Sequence, residues 1–388
     1  MPRNQMLVLA ALVSVAAVIN SAWGQLPKNT SGATAFALSP KTRELIREVQ
    51  TPLVNSIAQQ FGNPSNPVIP EGFPVDAIVV QGERVYATHC ATCHGAGGDG
   101  QGPKSKMLEP KPRDFRLGIF KWKSSRIQEK ALRHDLRETL RLGLPGTAMP
   151  SFAELPEADR NAAVEYVRWL GMAGESESRL AAEFEADFST KAVSGRIGRG
   201  MQMADIRKEA VNEVKGRLPE TVDETFSFLQ EHWKNAELET SIVRPTGATP
   251  TDDASIKRGR DTYLSQRTKC NACHGNDGKG NGPATRDLWN VPGTNEKYQK
   301  PGLHDDWGNL NQPWDLTTGK FRGGSSPDDL YLRIYSGIRG TTMPGYGGVA
   351  LTNAEIWDLV NYIRSLPAEK LEKQPAGTRQ PTPVGKND

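Results

Sequence analysis

Apolar residues recur at helical spacing in four segments of this chain, and the four fall into two pairs. Residues 76–88 and 255–268 each carry an apolar stripe every three to four positions, and so do residues 156–169 and 352–366. Thr352 followed by Glu355 makes a capping box that marks the start of the last of these helices. Between the pairs, residues 174–248 alternate charge with aliphatics and end in Phe226, Phe228, Leu229 and Trp233. That pattern predicts a helical connector, closed by the turn-rich run from Arg244 to Pro250. Residues 25–75 are rich in Pro and Gly around one helical stretch at 40–60, and are expected to wrap the first helical unit. The tail beyond Pro367 is polar and proline-bearing, which predicts disorder. The elements read from these patterns are helices joined by loops, and the expected fold class is all-α.

The pairing of helices belongs to an internal duplication. CATCHGAGGDGQGP and CNACHGNDGKGNGP share two cysteines, a histidine, four glycines and a final proline. Upstream, Gly82 and Tyr86 correspond to Gly259 and Tyr263. Downstream, Pro112-Arg113-Asp114 recurs as Pro313-Trp314-Asp315, and Gly146-Thr-Ala-Met149-Pro150 as Gly340-Thr-Thr-Met343-Pro344. The closing helices match as Tyr166 with Leu170 and Tyr362 with Leu366. The landmarks keep their order, so a whole domain is repeated.

All four cysteines of the chain lie in Cys90-Ala-Thr-Cys93-His94 and Cys270-Asn-Ala-Cys273-His274. Cys-x-x-Cys-His is the spacing of covalent haem c attachment: two thiols one helical turn apart bond the porphyrin, and the next residue puts an imidazole under the iron. Disulfides between cysteines three apart, each pair followed by His, are a poor alternative. His94 and His274 are therefore the expected proximal ligands. Met149 and Met343 are the expected sixth ligands. Both hold the same place in the repeat, and the proline after each keeps it off a helix, on an extended loop. His134 and His304 lie between motif and methionine but not at equivalent positions, so surface or supporting roles are expected for them. His89 and His232 read as solvent-facing or locally bonded. The repeated glycines permit tight turns and close backbone approach to a haem and do not form a phosphate-binding loop. Gly82, Tyr86, Tyr166 and Leu170, with Gly259, Tyr263, Tyr362 and Leu366, are expected where the first and last helices of each unit cross.

On these motifs each unit resembles a class I cytochrome c domain, and the chain resembles a tandem di-haem cytochrome c. The likeness covers residues 75–171 and 255–367. It implies a small all-helical shell around each of two covalently attached haem c groups, with a porphyrin edge exposed for electron exchange. The organisation read from the sequence is residues 1–24 signal peptide, 25–75 N-terminal extension, 76–174 first cytochrome c domain, 175–250 helical connector, 251–367 second domain and 368–388 tail. The extension, the connector and an insertion at 286–312 depart from a compact carrier and suggest a dedicated docking surface.

Charge and composition narrow the function. The 388 residues are 24% charged with a net charge of +3, and no basic-aromatic nucleic-acid motif accompanies it. The expected partners are protein redox partners, such as a respiratory complex, oxidase or reductase. Arg3, the apolar run 6–19 and Ala22-Trp23-Gly24 read as an export signal cleaved before Gln25. The rival is an uncleaved anchor, the run being near spanning length. Either places the body in the periplasm. Two axial ligands at each iron leave no open site, so an electron carrier is expected ahead of a haem enzyme such as a di-haem peroxidase or a small-molecule dehydrogenase subunit. A basic stretch, 104–141, holds twelve Lys/Arg against five Asp/Glu. It reads as a solvated face, as a dock for an acidic partner, or as a surface met internally by the acidic connector.

Overall fold

A computed structural model describes residues 36, 38–292 and 296–372; the export signal read at 1–24 lies outside them. Among the described residues the regular structure is almost all helical. Helices α1 (Pro40–Glu44) and α2 (Arg47–Phe61) belong to the N-terminal extension. The first repeat holds α3 (Val79–His89), α4 (Ala91–His94), α5 (Arg133–Leu142) and α6 (Glu157–Phe188). Helices α7 (Thr190–Gly198) and α8 (Met203–Asn235) make the connector. The second repeat holds α9 (Asp253–Leu264), α10 (Cys270–His274), α11 (Pro327–Ser336) and α12 (Asn353–Glu372). Among the described residues the one sheet is a two-stranded hairpin of two residues a side, Gly62–Asn63 with Asn66–Pro67. No described helix is long and apolar enough to cross a membrane.

Each repeat is built on a crossing of its first and last helices, as the small-residue and tyrosine pattern predicts. A Cβ on Gly82 would overlap the Ala162 carbonyl oxygen, and one on Gly259 the Asp358 carbonyl oxygen, so only glycine lets α3 cross α6 and α9 cross α12 this closely. Tyr86 and Tyr166 pack with ring centroids 5.0 Å apart, Tyr263 and Tyr362 at 5.3 Å. Leu170 and Leu366 lie one turn further along and close on the glycine loops instead, against Gly98 and Gly278.

In the second repeat the crossing is pinned by Asp358, whose carboxylate takes Arg258 Nε at 2.7 Å and Ser255 Oγ at 2.6 Å. Burial alone would raise its pKa, but the Arg258 and Ser255 hydrogen bonds outweigh it and hold the carboxyl below its usual range. A depressed acid pKa contributes stability that is present above the unfolded value and lost as pH falls through the folded one. Asp358→Asn is therefore expected to lower the thermal midpoint of the second unit at pH 6 and to change it little near pH 3, as followed by scanning calorimetry at both pH values.

Three readings of element bounds meet a different structure. Helix α6 runs unbroken across position 174, where the sequence reading put the edge between domain and connector; its 32 residues serve both. The C-terminal helix continues through Pro367 to Glu372, so the first part of the predicted tail is helical; residues 373–388 lie outside the described range. Likewise the helical stretch expected over 40–60 is two helices, split where Leu45 and Ile46 are extended and the Ile46 N–H meets the Phe188 carbonyl.

The connector and extension complete a three-helix bundle on the back of the first repeat. Helix α8 buries Ile206, Ala210, Val214, Leu218, Val222, Phe226, Leu229 and Trp233, one apolar stripe along eight turns. The stripe packs on α2 (Val49, Leu53, Ile57, Phe61) and the outer half of α6 (Leu180, Phe184, Phe188), giving one core continuous with the first repeat. The second repeat has its own core around Tyr263, Leu330, Tyr331 and Trp357.

The basic stretch divides between the interior and the surface. Lys130 is buried against Glu175 at 2.6 Å, Arg133 pairs with Glu165 at 2.5 Å and with Glu237 at 3.2 Å, and Arg116 chelates Asp114. Glu175 and Glu237 come from the segment assigned to the connector, so the internal alternative accounts for part of the charge. Lys104, Lys106, Lys111, Arg126, Arg137 and Arg141 remain exposed.

Candidate functional site

The haem-type motifs sit at equivalent places in the two repeats, each on a single helical turn leading into a glycine loop. The carbonyls of Cys93 and His94 accept from Gly102 N at 3.2 Å and Gly100 N at 2.8 Å. Those of Cys273 and His274 accept from Gly282 N at 3.1 Å and Gly280 N at 2.9 Å. Gly95, Gly98 and Gly100 have φ of +78°, +74° and +72°, and Gly275, Gly278 and Gly280 repeat these values within a few degrees, a left-handed path that favours glycine. Tyr86 Oη donates to the Gly95 carbonyl at 2.8 Å and Tyr263 Oη to that of Gly275 at 2.7 Å, so each tyrosine also fixes the turn behind its histidine.

The methionines ride on a second pair of matching loops. Thr147 Oγ1 donates to the Leu144 carbonyl at 2.8 Å and accepts from Met149 N at 3.1 Å, while Leu144 N donates to the Met149 carbonyl at 3.1 Å. Thr341, Ile338 and Met343 reproduce all three bonds, at 2.7, 3.2 and 3.1 Å. Sequence reasoning relied on the proline after each methionine and gave the threonine two residues before it no role. Its hydroxyl ties the loop together, and its place in the repeated Gly-Thr-x-Met-Pro string is the signal that could have identified it.

Cys90, Cys93, His94 and Met149, with Cys270, Cys273, His274 and Met343, all line one cavity of about 750 Å³ that runs between the two repeats. Its wall is apolar in both halves (Phe115, Leu136, Leu140 and Phe152; Leu316, Phe321, Leu330 and Ile363). Its charged lining is of one sign. Lys104, Lys111, Arg113, Lys121, Lys269, Arg322 and Arg333 face it, and among the described residues no Asp or Glu does. Burial pushes Arg113 and Arg333 down to about 10, and burial with the nearby Arg113 pushes Lys121 down to about 8. Arg333 Nε and Nη1 and Arg322 Nε are buried without a hydrogen-bond partner.

The two histidines are the neutral imidazoles a metal needs, burial lowering the pKa of each. His94 Nδ1 lies 3.0 Å from the Arg113 carbonyl and its ring stacks on Phe115, centroids 4.6 Å apart. In the second repeat the Trp314 carbonyl occupies the same position, but His274 Nδ1 makes no hydrogen bond of ordinary geometry with it. None of the four cysteines is in a disulfide, and burial pushes the Cys90 thiol up to about 11 and raises those of Cys270 and Cys273. Of the remaining histidines, His134 is exposed. His304 stacks flat on Tyr298 at 3.7 Å, and His232 stacks on Phe228 at 5.5 Å. His89 is exposed at the cavity mouth. Histidine and cysteine with an apolar slot and a cationic rim fit a porphyrin, which is flat, apolar and carries two carboxylates.

Two all-helical shells, each bringing a Cys-x-x-Cys-His turn and a methionine loop to a common cavity, define a tandem haem-binding protein. The chain belongs to the cytochrome c family, whose sequence profile (Cytochrome c) matches residues 79–171 and 256–367, more than half of its length. It is a tandem di-haem c-type cytochrome by that match, and the family implies covalent haem c at both cysteine pairs. No curated protein sequence matches the chain. Among solved structures it is similar to a chain of the Kuenenia stuttgartiensis reducing HAO-like protein complex Kustc0457/Kustc0458. The two share 26% identity with a TM-score of 0.50, over 75% of this chain and 96% of that one.

Proposed function

We propose that this cytochrome is an exported carrier that passes single electrons between protein redox partners, with its two haems held by Cys90/Cys93 and Cys270/Cys273. His94 with Met149, and His274 with Met343, would hold the two irons. The observation that carries this reading is the convergence of all eight side chains on one cavity, with an imidazole and a thioether in each half. Haem iron supplies a one-electron ferric/ferrous couple, and methionine opposite histidine raises its potential. The protein's part would be to present a histidine and a methionine to each iron, the methionine on a loop tied by its threonine, and to exclude water with the apolar wall. Export to the periplasm rests on the apolar amino-terminal run and its small-residue cleavage site. A protein partner is supported by the structural neighbour, itself part of a two-protein complex.

That neighbour also favours a second reading, an electron-transfer subunit of a larger haem enzyme. Both readings predict a mature protein that begins at Gln25 and carries the mass of two haems. Both also predict two one-electron transitions accompanied by absorption near ~695 nm, the signature of methionine on ferric haem. Intact-mass spectrometry and a spectro-electrochemical titration check this. Protein isolated without bound haem, or rapid turnover of peroxide by the reduced protein, would defeat the carrier.

A further inference from the structure

The two repeats meet at crossed contacts that tie the methionine loop of each unit to the proximal side of the other. Gly340 opens the Met343 loop with φ +73° and is buried, and a Cβ there would collide with the Trp307 ring. Trp307 stands on the insertion whose purpose the sequence left open. Its ring carries the Arg113 guanidinium 3.6 Å above its centroid, and the Arg113 carbonyl is the one facing His94 Nδ1. Two further contacts hold the insertion in place: Lys121 lies 3.8 Å from Asp305, and Asp306 N donates to the Gly340 carbonyl at 3.0 Å. Asp305 Oδ1 in turn accepts from Trp307 N at 3.2 Å and Asn309 N at 2.9 Å, which shapes the turn that presents the indole.

The reciprocal crossing uses a different residue in the same place. Gly146, the counterpart of Gly340, lies against Trp314, and a Cβ there would stand 2.9 Å from the ring. Trp314 is the counterpart of Arg113, its carbonyl faces His274, and it carries Arg322 at 4.3 Å. In both crossings an indole lies against the glycine of one methionine loop; in the first it carries the residue whose carbonyl faces the other unit's histidine, Arg113, and in the second it belongs to that residue, Trp314. The Gly340 crossing is buried and the Gly146 crossing is at the surface.

We propose that Trp307 and Trp314 are positioning residues that couple the two haem sites, so that disturbing the methionine loop of either unit shifts the reduction potential of the opposite haem. The inference rests on the His/Met reading above. The path is mechanical and short: an aromatic ring packed between one methionine loop and the backbone segment whose carbonyl faces the other imidazole, within hydrogen-bond distance at His94 and without a hydrogen bond at His274. Hydrogen bonding at the distal nitrogen of a ligating histidine tunes the metal through ligand basicity, so a displaced carbonyl is read as a changed potential.

The test is a redox titration of the holoprotein, with Met149→His used to assign the first haem's transition. Trp307→Ala is expected to change the one-electron equilibrium of both haems at least threefold, about 28 mV at 59 mV per tenfold, and Trp307→Phe to restore most of it. Gly340→Ala lies in the second unit, yet is expected to move the first haem by a similar amount. Trp314→Ala with Gly146→Ala gives the mirror result at the second haem, and a smaller one. Midpoints that stay put, or that move only for the haem of the mutated unit, overturn the coupling while the ~695 nm absorption of the wild type still upholds the ligands. A wild type without that absorption overturns the ligand reading and the coupling with it.

Discussion

Met149→Ala is expected to remove about half of the absorption near ~695 nm and to lower the first haem's midpoint by at least about 0.1 V, within the roughly 0.8 V that axial ligation spans. The second midpoint should move far less, by the tens of millivolts set by the contacts between the repeats. Met343→Ala should give the mirror result. The magnitude follows from what the loop supplies. Thr147 bonds Leu144 and Met149 into a closed turn, so the loop persists when the thioether is cut back, and the iron loses its ligand without the shell collapsing. Water or a small anion can then take the place on the methionine side. Bound cyanide or imidazole, titrated against each variant, should report one opened site per variant and none in the wild type. A Met149→Ala protein with its full near-infrared edge absorption and an unmoved midpoint would mean that the sulfur is not the ligand.

The parts of this molecule legible in the sequence are those that obey a local rule. Cys-x-x-Cys-His needs one helical turn, and that turn is α4 and α10. The glycine spacing forces left-handed backbone at the same three steps in each repeat. Gly82 and Gly259 meet carbonyls of the facing helix because a close crossing tolerates nothing larger. Duplication doubled the value of each signal, since a residue that recurs in register in two units is seldom a filler. What stayed hidden is long-range or unrepeated. Nothing local told that Trp307 would reach across to Arg113, two hundred residues away in the other unit, or that the single-signed wall would be assembled from both repeats. The basic stretch kept its three readings open for the same reason: its charges are local, and Glu165, Glu175 and Glu237, which answer Lys130 and Arg133, come from distant segments. No break marks position 174, because a helix needs none where one unit ends, provided its apolar face finds a new partner, here α2 and α8.

Glu175→Ala is expected to destabilise the first unit by about 3–5 kcal/mol, the cost of leaving a buried charge without its partner. The residue lies where α6 leaves the haem shell and enters the bundle. Its Oε2 accepts from Lys130 Nζ at 2.6 Å and from Trp233 Nε1 at 3.0 Å, with the two charged side chains only 9% and 11% exposed. Burial lowers the pKa of Lys130, and Glu175 acts against that shift. Without the carboxylate, an ammonium and an indole N–H are stranded together, with the Gly118 carbonyl at 3.4 Å as a long acceptor for the lysine. The double variant Lys130→Met with Glu175→Gln removes both charges and keeps an acceptor for Trp233. It should recover to within about 1 kcal/mol of wild type, since apolar replacement of a buried ion pair is often neutral. Denaturant unfolding followed by the first haem's visible absorption separates the two cases. Equal losses in the single and double variants would mean that the site contributes through packing and not through charge. Because α6 both closes the first haem shell and seats α8, this pair reports whether shell and bundle unfold as one cooperative unit: if they do, the haem signal and the far-ultraviolet helix signal of the bundle shift together in Glu175→Ala.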